Sequence, residues 1–161
     1  MDHPLAPISN PHSTALILGS FPSVLSRKAG FYYANPQNRF WRILCTLFRE
    51  ELPTSTQAKT EFLLSHHLAL WDVIHSCDIL GSSDASIQNV IPNDILTLLK
   101  ASSITRIYAN GSSAFELYMK YCYTKTGIPI VKLPSTSSAN ANVSFENLLK
   151  AWEVILQDEF K

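Results

Sequence analysis

Four short apolar runs rich in β-branched residues dominate the hydrophobic pattern of the chain. They lie at Ala15–Gly19, Leu68–Asp72, Ile104–Ala109 and Pro129–Leu133. Each run is nearly continuous in apolar character, which is typical of strands that are buried on both faces of a parallel sheet. The pattern therefore predicts a central sheet of four parallel strands.

Helical periodicity follows each of these runs. Apolar residues recur every three or four positions in Arg39–Glu51, Pro92–Lys100, Gly111–Tyr123 and Ser144–Phe160. A fifth helix is expected in Thr56–His66. Strands that alternate with helices form right-handed βαβ units whose helices cover both faces of the sheet. We therefore expect a single α/β domain over residues 1–161, a three-layer sandwich with a four-stranded parallel sheet.

The composition fits this interpretation and narrows the classes of function. The 161 residues are 46% hydrophobic and 16% charged, which suits one compact domain with a sizeable core. No apolar run is long enough to span a bilayer, and the first residues lack the pattern of a signal peptide. We therefore expect a cytoplasmic protein without a membrane segment.

Metal and disulfide chemistry are not indicated. Cys45, Cys77 and Cys122 are widely spaced and odd in number, and the histidines show no metal-ligand spacing, so we expect free thiols, no metal and no cofactor. The net charge is zero, from 13 Lys and Arg against 13 Asp and Glu, which argues against massive nonspecific binding of nucleic acid. Residues 1–50 hold a small excess of basic residues, so a phosphate-facing surface should be sought near the first loop.

The loop after the first strand combines aromatic and basic residues. It places Phe31, Tyr32 and Tyr33 close in sequence to Arg27 and Lys28, at the edge of the sheet where ligands of parallel α/β folds bind. Flat rings beside cations suit stacking on a nucleobase with phosphates nearby. A loop that folds its own aromatics into a minor core gives the same pattern, and on the pattern alone this second interpretation is favoured.

Polar residues at the same edge have both a structural and a functional interpretation. Asn38 is a good helix N-cap, and its amide could instead hold a water molecule or a sugar oxygen. The loop Pro134–Asn140 could grip phosphates or only cap the last helix. Asn110 could belong to a tight turn or open an anion-binding helix start. Asp72, at the end of the second strand, is a candidate acid or base, although an Asp there is more often a turn or cap residue.

Several of these segments together resemble the uracil-DNA glycosylase superfamily. Residues 19–23 (Gly-Ser-Phe-Pro-Ser) and 38–41 (Asn-Arg-Phe-Trp) stand in the register of two motifs of its mismatch-specific branch, but Phe21 replaces the catalytic Asn of that branch. The hypoxanthine-DNA glycosylase branch is more similar. Its motifs match residues 32–41, 70–73 and 133–141, except that Ser138 stands where Pro is expected.

The resemblance implies an enzyme that flips a deaminated base, above all hypoxanthine, out of DNA and hydrolyses its N-glycosidic bond without a metal or cofactor. By position in these motifs, Asn38 is the catalytic residue, which positions water. Phe21, Tyr33 and Ser20 are expected to bind the base, and residues 136–139 to fill the vacated stack. The expected contacts with DNA are made by five residues: Ser23, Lys28, Ser135, Thr136 and Ser137.

Two alternatives stay open at this point. The substrate could be uracil or another deaminated base, because pocket specificity depends on placements that a sequence does not show. The chain could also be a noncatalytic module that binds nucleotides or single-stranded DNA through Tyr32, Tyr33 and the serine-rich loop. Among the proposed site segments only Lys28 is a lysine, which favours a monofunctional hydrolase over a lyase. We expect a monomer, since flipping a base requires no second subunit.

Overall fold

The computed structural model of the protein describes residues 1–156 and has a parallel sheet at its centre. The strands of the described chain are β1 (Ala15–Gly19), β2 (Leu68–Asp72), β3 (Ile74–Asp78), β4 (Gln88–Pro92), β5 (Arg106–Asn110) and β6 (Ile130–Leu133). Its helices are α1 (Val24–Ala29), α2 (Phe40–Leu47), α3 (Thr56–Ser65), α4 (Ile95–Lys100), α5 (Ser112–Tyr121), α6 (Tyr123–Thr126) and α7 (Phe145–Trp152). None of these helices is long and apolar enough to cross a membrane.

The central sheet has the strand order β2-β1-β5-β6, and every neighbouring pair in it is parallel. The predicted α/β class, with a four-stranded parallel sheet flanked by helices, is confirmed. Gly19 pairs with Asp72 across β1 and β2, and Asn110 pairs with Leu133 across β5 and β6. The carboxyl ends of all four strands are therefore aligned at one edge of the sheet.

The two faces of β1 bury two separate hydrophobic clusters. Ala15 and Ile17 pack in a cluster with residues of α2, α3 and α7, whereas Leu16 and Leu18 pack in a cluster with residues of α4 and α5. All five residues of β1 are buried, which explains why this strand shows no alternation of apolar and polar residues. Full burial of each leucine or isoleucine contributes about 1.5–3 kcal/mol to folding.

An antiparallel hairpin of β3 and β4 was not predicted from the sequence. Its strands are short and largely polar, and their register is interrupted, so neither periodicity is visible in them. Pro92 pairs with Ile74 in this hairpin, and the helix predicted from Pro92 begins only at Ile95. The carboxylate of Asp94 caps that helix by accepting a hydrogen bond from the amide of Thr97.

Other helices also differ from the prediction, and α2 ends at Leu47 rather than at Glu51. The loop after β1 contains the short helix α1, whose amino end is capped by Ser23. The predicted helix Gly111–Tyr123 is divided into α5 and α6. The predicted helix Ser144–Phe160 is observed as α7, capped by Ser144, and a following 3-10 turn at Glu153–Leu156; its predicted end lies outside the described residues.

Candidate active site

A pocket of about 320 Å³ opens at the carboxyl edge of the central sheet. Its wall comes from the segments that follow β1, β2, β5 and β6, as expected for a parallel α/β fold. The volume lies within the range of small-ligand sites. Its wall includes Gly19, Ser20, Phe21, Tyr33, Asn38, Asp72, Asp84, Asn110, Ser135, Thr136 and Ser137.

A buried threonine connects two asparagines of this pocket. The Thr136 hydroxyl donates to Asn38 Oδ1 at 2.8 Å and accepts from Asn110 Nδ2 at 2.9 Å. The backbone amide of Thr136 donates to Asn110 Oδ1 at 3.0 Å. Thr136 borders the pocket but is fully buried, so this network holds both amide side chains from the protein side.

The network fixes which way the Asn38 amide points. Asn38 Oδ1 also accepts from the backbone amide of Phe40 at 3.0 Å, so both neighbours of this atom are donors and it must be the oxygen. The Asn38 Nδ2 group has no hydrogen-bond partner among residues 1–156. Asn38 therefore satisfies a backbone amide at the start of α2 with its oxygen and keeps its N–H groups available at the pocket.

Arg39 attaches the start of α2 to the serine-rich loop. Its guanidinium donates to the carbonyls of Val143 and Asn140 at 2.6 and 3.1 Å, and its backbone amide donates to the carbonyl of Thr136 at 3.0 Å. A planar guanidinium can serve two carbonyls at once. Arg39 is thus used in positioning the loop that closes the pocket.

The aromatic residues of the first loop are less exposed than the sequence suggested. Tyr32 is only 3% exposed, and its hydroxyl donates to the Ala6 carbonyl at 2.7 Å. Phe31 and Tyr33 are half-buried against the core. The interpretation as a minor core is therefore correct for Tyr32, and the binding-module alternative loses one of its two stacking rings.

Tyr33 lies in the pocket wall with an unusual backbone conformation. Its φ of 53° is in the left-handed region, which a bulky residue seldom adopts. One face of its ring stacks on Phe40 with the centroids 4.0 Å apart. Burial, and secondarily the charge of Asp72, raises the pKa of the Tyr33 hydroxyl far above its usual value, with the neighbouring Asn110 side chain opposing. The hydroxyl is therefore protonated.

Phe21 and Ser20 lie in the wall, as the resemblance implied, and Ser20 brings in a residue that sequence reasoning missed. Phe21 is 8% exposed and lies edge-on to the ring of His3. The Ser20 hydroxyl donates to the Asp84 carboxylate at 2.9 Å. Asp84 is an exposed residue, but partial desolvation of its carboxyl group raises its pKa, while the Ser20 hydrogen bond opposes the shift.

Asp72 lies at the base of the pocket, paired with a histidine from the amino-terminal segment. Asp72 Oδ2 and His3 Nε2 are 2.7 Å apart, and the two side chains are 5% and 1% exposed. Asp72 is thus a buried residue of the pocket rather than only a turn or cap residue. Its position at a strand end was the available signal, whereas nothing in the sequence pointed to His3.

The residues expected to contact DNA have different environments. Ser135 and Ser137 are half-buried in the pocket wall, and each hydroxyl accepts a hydrogen bond from a backbone amide of the loop, at 3.1 and 3.2 Å. Ser23 caps α1 and also lines the pocket. Lys28 is exposed on α1 outside the pocket. For these four residues DNA contact stays a prediction.

The expectation for Thr136 is corrected. A fully buried side chain whose hydroxyl is used between two asparagines cannot present itself to a phosphate or enter the base stack. Within the expected wedge of residues 136–139, only Ser138 and Ala139 are exposed. No group of three His, Cys, Asp or Glu side chains in the described part of the chain is arranged to hold a metal ion.

A pocket lined by aromatic rings and fixed amides at the carboxyl edge of a parallel α/β sheet defines a small-ligand site of the kind that this class of fold carries. The family model of the Uracil DNA glycosylase superfamily matches residues 6–156. The chain belongs to this superfamily, as the resemblance of its motifs indicated.

Two curated relatives and one solved structure are similar over most of the chain. A hypoxanthine DNA glycosylase of Methanosarcina acetivorans is 33% identical over 144 residues, which cover 88% of this chain and 89% of that protein. The hypoxanthine DNA glycosylase of Methanosarcina barkeri is 31% identical over 113 residues, which cover 68% and 71%. The NMR structure of a candidate uracil DNA glycosylase from M. acetivorans superimposes with a TM-score of 0.82 at 29% identity, covering 96% of this chain and 95% of that one.

Proposed function

We propose that this protein is a monofunctional DNA glycosylase that hydrolyses the N-glycosidic bond of a deaminated base, hypoxanthine first, after the nucleotide has been flipped out of DNA. The two curated relatives, both hypoxanthine DNA glycosylases, support the enzyme class and the base. The observation that carries the proposal for this chain is the Asn38 amide, whose oxygen is occupied by two donors and whose Nδ2 group is left free at the pocket.

Substrate entry requires that a nucleotide leave the base stack, at a cost of a few kcal/mol. Deaminated bases pair poorly with their inherited partners, so this cost is smaller for them than for an intact pair. The pocket wall offers the ring of Phe21 as an aromatic surface for the flipped base, with Tyr33 beside it. Ser138 and Ala139, which are exposed, then occupy the space that the base vacates.

In the chemical step, Asn38 positions the attacking water. Because Asn38 Oδ1 already accepts from Phe40 and Thr136, this side chain cannot accept the proton of the water as a general base. Its Nδ2 group can donate to one lone pair of the water and leave the other directed at the anomeric carbon. The bond from that carbon to the base nitrogen breaks as the base leaves with the electron pair. The proton that the water loses when it adds to the sugar neutralises the departing base or passes to solvent. Such positioning lowers the barrier by reducing the freedom of the reactants, and DNA phosphates stabilise the cationic sugar.

Backbone and hydroxyl groups near the pocket mouth hold the DNA strand. The segment from Ser135 to Ala139 has hydroxyls and short polar turns, which bind phosphates without selecting sequence. Lys28 supplies a positive charge on α1 at the surface. These contacts require no large net charge, which agrees with the neutral composition of the chain.

The test is release of base from end-labelled duplexes that carry a single hypoxanthine, uracil or xanthine, with alkali cleavage at the abasic sites. Asn38→Ala and the matched control Asn147→Ala, an exposed asparagine on α7, are assayed alongside. We expect cleavage at hypoxanthine by the wild type and the control, and a loss of at least about 100-fold in Asn38→Ala.

Other outcomes decide between the alternatives. Cleavage mainly at uracil would change the substrate and keep the enzyme class, whereas tight binding without base release would favour the noncatalytic module. Equal activity of Asn38→Ala and Asn147→Ala would reduce Asn38 to a structural residue. We further propose that the enzyme acts as a monomer in the cytoplasm, and sedimentation at assay concentrations tests the first of these points.

A further inference from the structure

The base of the pocket holds two polar atoms that are not used by the protein. Tyr33 Oη is buried and makes no hydrogen bond of acceptable geometry in the described part of the chain, although the Asn110 side chain lies near enough to oppose the rise of its pKa. Asp72 uses Oδ2 for His3, and its Oδ1 has no partner within residues 1–156. A Cβ atom placed on Gly19 would overlap Asp72 Oδ1 and lie 3.0 Å from Tyr33 Oη. Asp72 Oδ1 and Tyr33 Oη therefore both lie next to the α-carbon of Gly19.

The hydrogen bonds of His3 fix the character of the carboxylate. The backbone amide of Leu5 donates to His3 Nδ1 at 3.2 Å, so Nδ1 carries no hydrogen. The imidazole hydrogen is then on Nε2, which donates to Asp72 Oδ2. Asp72 is therefore an acceptor held by a neutral histidine, and its free Oδ1 is an acceptor as well.

Tyr33 complements this acceptor with a donor. Its hydroxyl keeps its proton, because burial and the nearby Asp72 carboxylate disfavour the phenolate. An unpaired buried hydroxyl destabilises the folded protein, and a carboxylate oxygen that is only slightly exposed in a pocket is poorly solvated. Two such atoms side by side are the arrangement expected where a ligand completes both hydrogen bonds.

We propose that Asp72 Oδ1 and Tyr33 Oη together read the lactam edge of the flipped base, which makes them the residues that distinguish a deaminated base from its parent. This inference rests on the proposed glycosylase function. Deamination replaces an amino group by a carbonyl and places a hydrogen on the adjacent ring nitrogen. Hypoxanthine thus presents a ring N–H to Asp72 and a carbonyl oxygen to Tyr33.

Adenine does not match Asp72 and Tyr33, because its donor and acceptor positions are the reverse of those of hypoxanthine. Its ring nitrogen would turn a lone pair toward Asp72, and its amino group would turn hydrogens toward the Tyr33 hydroxyl. The lactam edge of a purine is remote from the glycosidic nitrogen, so it is the part that reaches the base of the pocket. Uracil carries the same N–H and C=O pair. Guanine carries it too, but its intact pairing with cytosine keeps it in the stack.

Two substitutions test the pair. In Asp72→Asn the oxygen is drawn to the His3 Nε2 donor, so the amide nitrogen faces the pocket and replaces an acceptor by a donor. Single-turnover excision of hypoxanthine should fall by about 10- to 100-fold, as expected for loss of a hydrogen bond to a charged group. Asp78→Asn, on the exposed hairpin, is the matched control and should retain wild-type rates.

Tyr33→Phe removes the donor and keeps the ring. Because the hydroxyl has no partner, its removal breaks no hydrogen bond of the described structure, and the melting temperature should not fall. Excision of hypoxanthine should decrease by about 10-fold. A duplex with unsubstituted purine, which lacks both the carbonyl and the ring N–H, distinguishes recognition from a structural effect, because Tyr33→Phe should leave its rate unchanged.

The outcomes distinguish a failure of lactam-edge recognition from a failure of the proposed glycosylase function. Equal losses on hypoxanthine and purine in Tyr33→Phe, or unchanged hypoxanthine excision in folded Asp72→Asn, would overturn the reading of the lactam edge while the glycosylase function stands. Absence of base release by the wild type on any deaminated base would overturn the proposed function and this inference with it. If Asp72→Asn does not fold, Tyr33→Phe on the two substrates decides.

Discussion

Replacing Thr136 by valine removes one hydroxyl and keeps the shape of the side chain. The hydroxyl donates to Asn38 Oδ1 and accepts from Asn110 Nδ2, so two hydrogen bonds of the buried network are lost. Asn110 Nδ2 is then left without its partner, while the backbone amide of Thr136 still holds Asn110 Oδ1. A donor stranded in this way costs about 1–3 kcal/mol of unfolding free energy.

This loss has a thermal and a catalytic consequence. For a chain of this size, each kcal/mol lowers Tm by about 2–4 °C, so Thr136→Val should melt roughly 2–12 °C below the wild type. Asn38 keeps its bond to Phe40 but loses the one that fixes its rotation about the side-chain axis. Displacement of a positioning group by about 1 Å can cost about 100-fold in rate, so single-turnover excision should fall at a temperature where the variant is fully folded.

Urea unfolding and single-turnover base release measure the two effects separately. Thr136→Ser, which retains the hydroxyl and loses only a methyl group, is the matched control and should keep most of the wild-type rate. The role of Thr136 as the connection between the two asparagines would be refuted if Thr136→Val were as active as the wild type. It would equally be refuted if the serine and valine variants lost the same activity.

Three further substitutions probe the same surroundings. Asn38→Asp keeps the two hydrogen bonds that Oδ1 accepts and replaces the free Nδ2 group by an oxygen. Excision should therefore fall by about 100-fold with little change in Tm. Near-normal rates would contradict donation by Nδ2. Burial raises the pKa of Asp84, so its stabilising contribution is present below its ordinary pKa and is lost as pH rises through the raised value. At pH 7, the urea midpoint of unfolding should therefore be higher for Asp84→Asn than for the wild type, whereas near pH 4 the two midpoints should be similar. A difference that does not depend on pH would count against desolvation of the carboxyl group. In Arg39→Lys, the single ammonium group cannot donate to the Asn140 and Val143 carbonyls together. The free energy of unfolding in urea should fall by about 1–2 kcal/mol. Unchanged stability would show that the two contacts are not needed.

The sheet was readable from the sequence because its strands are buried on both faces. Continuous apolar runs such as β1 and β2 have no other simple explanation, and their ends indicated where a ligand site would lie. The hairpin of β3 and β4 was missed, since its residues are mostly half-exposed and its register is interrupted. Local periodicity carries no signal in strands of that kind.

The sequence posed a choice for Asn38 that the structure removes. A helix cap and a site residue were treated as exclusive roles for one side chain. The amide has an acceptor and a donor end, and the structure uses the oxygen near the start of α2 while the nitrogen stays free. Motif matching located the residue, but the assignment of its two ends depends on the hydroxyl of Thr136, which is 98 positions away.

Contacts between remote segments account for most of what could not be predicted. His3 and Asp72 are 69 positions apart, and Ser20 and Asp84 are 64 apart. Neither pair leaves a pattern in the local sequence, because hydrogen bonds of this kind depend on where loops meet in space. The family resemblance named several residues of the pocket, but it named neither His3 nor Asp84.

The wide separation of the pocket residues also connects catalysis to folding. Neighbouring parallel strands require a crossover, so the pairs β1–β2, β1–β5 and β5–β6 each close a long loop before they gain contacts. The wall needs residues from Gly19 to Ala139, and the last of them are held through the Trp152 indole, which donates to the Pro134 carbonyl at 3.0 Å. A partly folded chain therefore lacks this pocket, and the site forms only when the whole sheet has formed.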